Sequence, residues 1–257
     1  MVERVGLGFA KKAASLSTKK GRDETGLFLV EGDKIVRDMP EDWPVAYYLA
    51  SVSYADATDL SFFEKRATVH VMEDELFKRA SDTLTPQGIA AVCEAKRPSA
   101  KDAFSPGCLA LMCEGLSDPG NIGTLIRTAD AAGCACVVLT EGSADVYNPK
   151  IVRATAGSIF RLKVVTGANG LEMARQMKRE GVRLAAASPR GKSYPYSLDF
   201  KSAICVLVGN EARGLSKELE ELADFKVKLP MSGTLESLNA AMAGGILLYE
   251  AVRQRLT

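Results

Sequence analysis

Hydrophobic and polar positions follow two different periods along the chain. Short apolar runs at Leu27 to Val30, Val45 to Leu49, Val69 to Met72 and Ile89 to Cys93 predict strands. Between them, Glu31 to Met39, Tyr54 to Arg66 and Glu73 to Ala80 carry the longer helical spacing, which makes residues 1–98 a compact α/β module. The pattern breaks at KRPSAKDAFSPG, Lys96 to Gly107, where two prolines, serines and charges replace apolar periodicity. A linker is expected at 99–107. Beyond it, strands are expected at Leu109 to Cys113, Cys136 to Leu139, Leu162 to Val165, Leu184 to Ala187, Ile204 to Val208 and Phe225 to Leu229. Helices are expected at Ile122 to Ala132, Leu171 to Arg179, Lys217 to Leu222 and Leu238 to Arg255. Strands alternating with helices predict a mostly parallel sheet over 108–257, covered on both faces, with ligands at the carboxyl ends of its strands.

Composition narrows the classes without choosing among them. The 257 residues are 47% hydrophobic and 25% charged, which excludes disorder and fibrous repeats. The formal net charge of +1 provides no global field for a polyanion, so any nucleic acid must meet a local patch. Two candidates exist. The first 22 residues hold six basic residues, including Lys11 and Lys12, against Glu3 alone; a solvated helix face explains that arm as readily as phosphate contact. Lys150, Arg153, Arg161 and Lys163 lie in a stretch, Val146 to Leu171, that contains no acid. The six cysteines form no C-x-x-C pair, and His70 is the single histidine, which argues against zinc, disulfide frameworks and a histidine triad. Buried free thiols are expected. No apolar run is long enough for a membrane span and no signal peptide opens the chain, so a cytoplasmic protein is expected.

Three loops after expected strands carry the candidate chemistry. The first, Glu114 to Gly123, leads into a helix with Asn121 as a possible cap and Arg127 six residues on, suited to bidentate phosphate contact. Read alone, this loop is better explained as a capped helix with a surface arginine. The second, Leu207-Val208-Gly209-Asn210-Glu211-Ala212-Arg213-Gly214-Leu215-Ser216, has glycines for close backbone approach and Ser216 as a cap; Glu211 and Arg213 could be a structural ion pair. It matches neither the dinucleotide nor the P-loop fingerprint. The third, Leu229 to Asn239, precedes an almost wholly apolar helix with Gly244 and Gly245. Capping accounts for Ser237; Asn239, expected inside the first turn, is less well explained.

Together, DPGNIGTLIRTAD at Asp118 to Asp130, VGNEARGL at Val208 to Leu215 and LPMSGTLESLN at Leu229 to Asn239 resemble the three ordered motifs of the SpoU (TrmH) family, RNA ribose 2'-O-methyltransferases of the SPOUT superfamily. VYNPKIVRATAGSIF at Val146 to Phe160 resembles the stretch between the first two motifs, and GLFLVEG at Gly26 to Gly32 resembles, more briefly, a preceding substrate-binding domain. The resemblance implies an α/β-knot domain over 108–257 with a C-terminal trefoil knot, preceded by a small α/β RNA-binding domain over 1–98. It implies S-adenosylmethionine held by backbone around Val208, Gly209, Leu229 and Leu238 with Met231 alongside. It implies a polar set of Asn121, Arg127, Glu211, Ser237 and Asn239 around the target ribose and phosphate, and phosphate contacts at Lys11, Lys12, Lys150, Arg153, Arg161 and Lys163. It also implies a homodimer, with Leu238 to Arg255 as the interface helix; no metal is expected from the cysteine and histidine pattern.

The family's proposed role for the first-motif arginine is activation of the hydroxyl. Guanidinium groups hold their protons near neutral pH, so a phosphate clamp that stabilises the developing alkoxide demands less than proton abstraction. Ribosomal RNA is favoured over transfer RNA as substrate. The competing classes are a catalytically silent RNA-binding protein of the same fold and a nucleotide-dependent oxidoreductase, the latter without its fingerprint.

Overall fold

The computed structural model describes residues 1–99 and 107–257, so most of the expected linker lies outside the described residues. The chain divides into two compact units, residues 1–96 with 145–160, and residues 97–144 with 161–257.

In the first unit, β1 (Val2–Arg4), α1 (Leu7–Ser15), α2 (Lys19–Thr25), β2 (Leu27–Glu31), α3 (Asp33–Arg37), β3 (Val45–Ser51), α4 (Val52–Ala57), α5 (Ser61–Glu64), β4 (Val69–Met72), α6 (Asp74–Ala80) and β5 (Ile89–Glu94) follow in order. The strands form one sheet, β1-β4-β3-β5-β2, parallel except where β5 runs against β3 and β2. Ala10, Ala13 and Leu16 pack on Leu29, Leu49, Phe77 and Val92, so the helix α1 in the basic N-terminal stretch lies on the sheet rather than forming a free arm. Arg22, counted with that arm by charge, is 5% exposed; it donates to the Leu16 and Ser17 carbonyls and pairs with Asp145 at 2.7 Å.

That pair is one reason 145–160 joins this unit, which the continuous boundaries 1–98 and 108–257 did not anticipate. The segment holds a short helix of its own, Pro149–Ala154, capped by Asn148. Its aromatic residues pack on the first unit's core: Tyr147, half-buried, lies 4.4 Å from Phe28 between ring centroids, and Phe160, buried, lies 5.0 Å from Trp43. Burying rings of this size gives a short segment a large apolar contribution.

The second unit contains β6 (Leu109–Cys113), α7 (Pro119–Ala131), β7 (Cys136–Thr140), then, after α8 (Pro149–Ala154) in the first unit, β8 (Lys163–Ala168), α9 (Gly170–Arg179), β9 (Arg183–Ala187), β10 (Ile204–Val208), α10 (Lys217–Leu222), β11 (Phe225–Val227) and α11 (Ala240–Leu256). Its six-stranded sheet is wholly parallel in the order β11-β9-β10-β6-β7-β8. β6, β7 and β10 are buried at every position, as strands covered on both faces must be. Alternation splits their side chains: Ala110, Met112, Cys205 and Leu207 pack with Met173, Met177 and Leu219 of α9 and α10. Val208 faces α11 instead, where a Cβ on Gly244 would stand 3.0 Å from the Val208 methyl and 2.7 Å from Leu125 of α7. The small residue lets α11 sit close against both.

Neighbouring strands β6 and β10 are the point where the order reverses, since β6 continues to β7 on one side and β9 precedes β10 on the other. In parallel sheets covered by helices on both faces, the carboxyl ends of the strands at such a reversal are where ligands bind. Among the described residues no helix is long and apolar enough to cross a membrane. All six cysteines are buried and free; burial pushes the thiols of Cys93, Cys134 and Cys136 up to about 12.

Candidate active site at the strand ends

The loop after β10 is tight because glycine permits it. Asn210 and Gly214 exchange backbone hydrogen bonds of 3.0 and 2.8 Å, and a Cβ on Gly209 would stand 2.1 Å from the Gly214 carbonyl carbon. Any side chain there would force the turn apart. Asn210 shapes the turn from inside: its Oδ1 accepts from the Ala212 and Arg213 amides, and its Nδ2 donates to the Gly115 carbonyl at 2.7 Å. Ser216 caps α10, as expected, and is itself gripped by Glu114, whose carboxylate accepts from its amide and its hydroxyl at 2.6 and 2.7 Å. Glu114 and Asn210 were not among the expected site residues. Their signal, a polar residue just past a buried strand, is shared by most loops.

The turn presents Glu211 to the loop after β6. Its carboxylate accepts from the Asp118 amide at 3.1 Å, from the Ser117 amide at 3.4 Å and from Asn121 Nδ2 at 3.1 Å. It is therefore not the partner of Arg213. Partial burial alone would raise the Glu211 carboxyl, yet these donors hold it below its ordinary value, so it is a carboxylate at neutral pH. Asn121 turns its Oδ1 the other way and accepts from Asn239 Nδ2 at 2.9 Å. Three side chains from three separate segments, the turn after β10, the first turn of α7 and the cap of α11, thus form one chain, Glu211 to Asn121 to Asn239.

Two capping roles differ from expectation. α7 begins at Pro119 and is capped by Asp118, whose Oδ1 accepts from the Asn121 amide at 2.8 Å. Asn121 sits in the first turn, 8% exposed, with its side chain free for Glu211 and Asn239. α11 begins at Ala240 rather than Leu238, and its cap is Asn239, accepting from the Ala241 and Met242 amides, not Ser237. A cap is favourable for asparagine, which removes the difficulty of placing it in a first turn. Ser237 is exposed in the loop and is joined to the chain by no hydrogen bond among the described residues. Arg127, on α7, is exposed and likewise makes no hydrogen bond or ion pair among the described residues. An arginine spared from internal pairing is available to an anion.

The loop from Leu229 to Leu238 fits a nucleoside cofactor. Among the described residues none of its main-chain amides or carbonyls is hydrogen bonded within the protein. Leu229, Met231 and Leu238 within it are half-buried, and Val208 is 2% exposed at the end of β10. Unpaired main-chain donors and acceptors between apolar side chains suit the edge and faces of an adenine.

The basic residues separate. Lys11, Lys12, Lys150 and Lys163 are exposed. Arg153 pairs with Asp82 at 2.9 Å, and Arg161 donates through Nε and Nη2 to Asp130 at 3.0 and 2.6 Å. The acids that meet these arginines come from distant positions, which an inventory of the local stretch does not contain.

Residues 108–249 match the family model described as the SpoU rRNA Methylase family, and residues 9–91 match the MRM3-like substrate binding domain. The chain is 34% identical to the 23S rRNA (guanosine(2553)-2'-O)-methyltransferase RlmP of Bacillus subtilis (strain 168), over 91% of this chain and 92% of that protein. It is 32% identical to the 23S rRNA (uridine(2479)-2'-O)-methyltransferase of Streptomyces viridochromogenes, over 97% and 90%. The crystal structure of an AdoMet-bound rRNA methyltransferase from Sinorhizobium meliloti superposes with a TM-score of 0.89 at 30% identity, covering 100% of this chain and 99% of that one. With the family model spanning the parallel sheet and all three loops, and relatives aligned over nearly the whole length, the chain belongs to the SpoU rRNA methylase family.

Proposed function

We propose that the protein transfers a methyl group from S-adenosylmethionine to a ribose 2'-hydroxyl of ribosomal RNA. The observation that carries this reading is the hydrogen-bonded set Glu211, Asn121 and Asn239 at the reversal of strand order, with Arg127 exposed and unpaired on the same helix as Asn121. When bound, S-adenosylmethionine supplies an electrophilic methyl on a good leaving group, so the protein has to align the hydroxyl and accommodate its lost proton. The main chain of 229–238, with Val208, Gly209, Leu229, Met231 and Leu238, holds the cofactor. Arg127 clamps a phosphate of the RNA and stabilises negative charge as the 2'-oxygen attacks, and the proton passes to solvent or that phosphate. Glu211 fixes Asn121, and Asn121 fixes Asn239, so the amides face the ribose in one orientation. Ser237, exposed beside them, completes the polar set.

The same reading assigns RNA presentation to residues 1–98, with Lys11, Lys12, Lys150 and Lys163 as phosphate contacts. Arg153 and Arg161 would have to exchange Asp82 and Asp130 for phosphate. It takes the chain through the second and third motifs as a trefoil knot, and the protein as a cytoplasmic homodimer joined through α11. The exposed stripe Met242, Ile246 and Tyr249 on that helix supports the last point.

The test is transfer of labelled methyl to total rRNA and total tRNA from cells lacking the gene. Label in rRNA is expected; label confined to tRNA, or cofactor binding with no transfer to either, would overturn the assignment. Arg127→Ala is expected to lower turnover by at least about 100-fold while cofactor affinity stays within about two-fold, and unimpaired methylation by that variant would remove Arg127 from the mechanism.

A further inference from the structure

The segment between β9 and β10 presents two tyrosines to solvent. Tyr194 and Tyr196 are 40% and 65% exposed, and their rings stack 5.4 Å apart at an interplanar angle of 8°. Pro195 between them is buried in a 3-10 turn, closed by Ser197 donating to the Tyr194 carbonyl, so the stack is held from below. Large rings that contribute little to a core and are nevertheless fixed in place need another explanation.

Their surroundings are basic. Ser193 bridges Val227 in parallel register, with its amide on the Lys226 carbonyl and its carbonyl accepting from the Lys228 amide. Gly191 lies so close to β11 that a Cβ would stand 2.5 Å from the Lys226 carbonyl oxygen. Because side chains alternate along paired extended backbone, Ser193 shares the inner side with buried Val227. Lys192 and Tyr194 share the outer side with Lys226 and Lys228. Arg190 is also exposed. None of these four cations has an ion-pair partner among the described residues, and no acid occurs between Ser188 and Leu198. The acids that flank the patch are occupied elsewhere, Asp199 by Arg183 at 2.8 Å and Asp224 by Lys178 at 2.6 Å. In a chain of net charge +1, four uncompensated cations around an aromatic stack are a local concentration of positive charge. They lie at the carboxyl ends of β9 and β11, the same end of the sheet as Glu211, and β9 is the strand next to β10.

We propose that Tyr194 and Tyr196 form a stacking platform for unpaired bases of the RNA substrate, with Arg190, Lys192, Lys226 and Lys228 receiving the flanking phosphates. The proposal rests on RNA being the substrate. Unpaired RNA is the occupant that uses both features, since a duplex hides its base faces and an acidic peptide would leave the ring faces unmatched. Such a platform would draw the strand that carries the target nucleotide toward the carboxyl ends of β6 and β10, where Glu211, Asn121 and Asn239 meet.

The experiment measures binding of a fluorescein-labelled ten-nucleotide oligouridylate and of an RNA hairpin to the full-length protein by anisotropy, and in parallel the KM for rRNA and for cofactor. The double variant Tyr194→Ala, Tyr196→Ala is expected to bind the oligonucleotide at least about 10-fold more weakly. It should raise KM for rRNA with KM for cofactor unchanged. Tyr194→Phe, Tyr196→Phe, which keeps the ring faces, is expected to bind as the wild type does. Lys192→Gln, Lys228→Gln should flatten the salt dependence of binding. Equal oligonucleotide affinity for wild type and alanine variant, at equal thermal stability, would overturn the proposal. So would unchanged oligonucleotide binding with altered self-association in sedimentation, which would make the tyrosines a protein contact. A wild-type protein that binds the oligonucleotide through these tyrosines but methylates no RNA would count against the enzymatic reading and not against the platform.

Discussion

Glu211 is the residue on which the candidate site turns. It joins the loop after β10 to the loop after β6 by accepting from two amides and the Asn121 side chain, and the ionised form accepts at both oxygens. Glu211→Gln replaces an acceptor with a donor opposite existing donors, and is expected to cost about 1 kcal/mol, the exposure of the group keeping the figure small. The pH dependence has a definite sign. A carboxyl held below its ordinary value near 4.5 contributes stability above that value and loses it as pH falls through the lower folded value. Chemical denaturation should therefore show a difference between wild type and Glu211→Gln that is flat from pH 7 to about 5 and shrinks below about 4.5. A difference that grows on acidification would contradict the assigned charge state. At this scale the sequence identified Asn121, Glu211 and Asn239 as polar residues in the right loops but mistook their local work. Asp118 and Asn121, like Ser237 and Asn239, are alternative caps within a few positions, and only the bond actually made distinguishes them.

At the scale of elements, apolar runs located nearly every strand, most plainly β6, β7 and β10, which are buried at every position and leave little polar sequence to confuse the pattern. β1 was missed for the opposite reason, since Val2, Glu3 and Arg4 are all exposed at the sheet edge. Tyr54 to Arg66 reads as one helix but is two, because Thr58 is extended and Asp59 accepts from the Ser61 amide to start α5. The basic N-terminal stretch illustrates how charge misleads without burial. Arg22 is an internal tie between the end of α1, the turn at Ser17 and Asp145, and a buried pair cannot lose one partner cheaply. Arg22→Met is expected to cost about 3 kcal/mol in urea unfolding, by leaving Asp145 unpaired and two carbonyls without their donor. A loss under about 1 kcal/mol would show that the pair contributes little to holding 145–160 in its unit.

The whole molecule shows two things that local pattern could not. Residues 145–160 leave one unit for the other, a discontinuity visible only through long-range contacts such as Phe28 with Tyr147 and Trp43 with Phe160. The order of the parallel strands, and hence the place where β6 and β10 adjoin, is likewise a property of pairing and not of any single run. α11 buries Ala241, Gly244, Leu247, Leu248 and Ala251 on one side and leaves Met242, Ile246 and Tyr249 exposed at 57%, 41% and 51% on the other. Under the proposed dimer that stripe is covered by a second copy. Ile246→Arg, which leaves the inward face untouched, is expected to shift sedimentation from dimer to monomer, and an unchanged sedimentation profile would exclude α11 as the interface.

The central claim, methyl transfer to a ribose hydroxyl rather than to a base, is tested most directly by the chemical identity of the product. Ribosomal RNA from cells lacking the gene, treated with the protein and S-adenosylmethionine, would be digested to nucleosides and resolved by mass spectrometry. One new 2'-O-methylnucleoside is expected, with the added mass on the ribose fragment and absent when Arg127→Ala replaces the wild type. A methyl group on the base fragment, with the ribose unmodified, would contradict it.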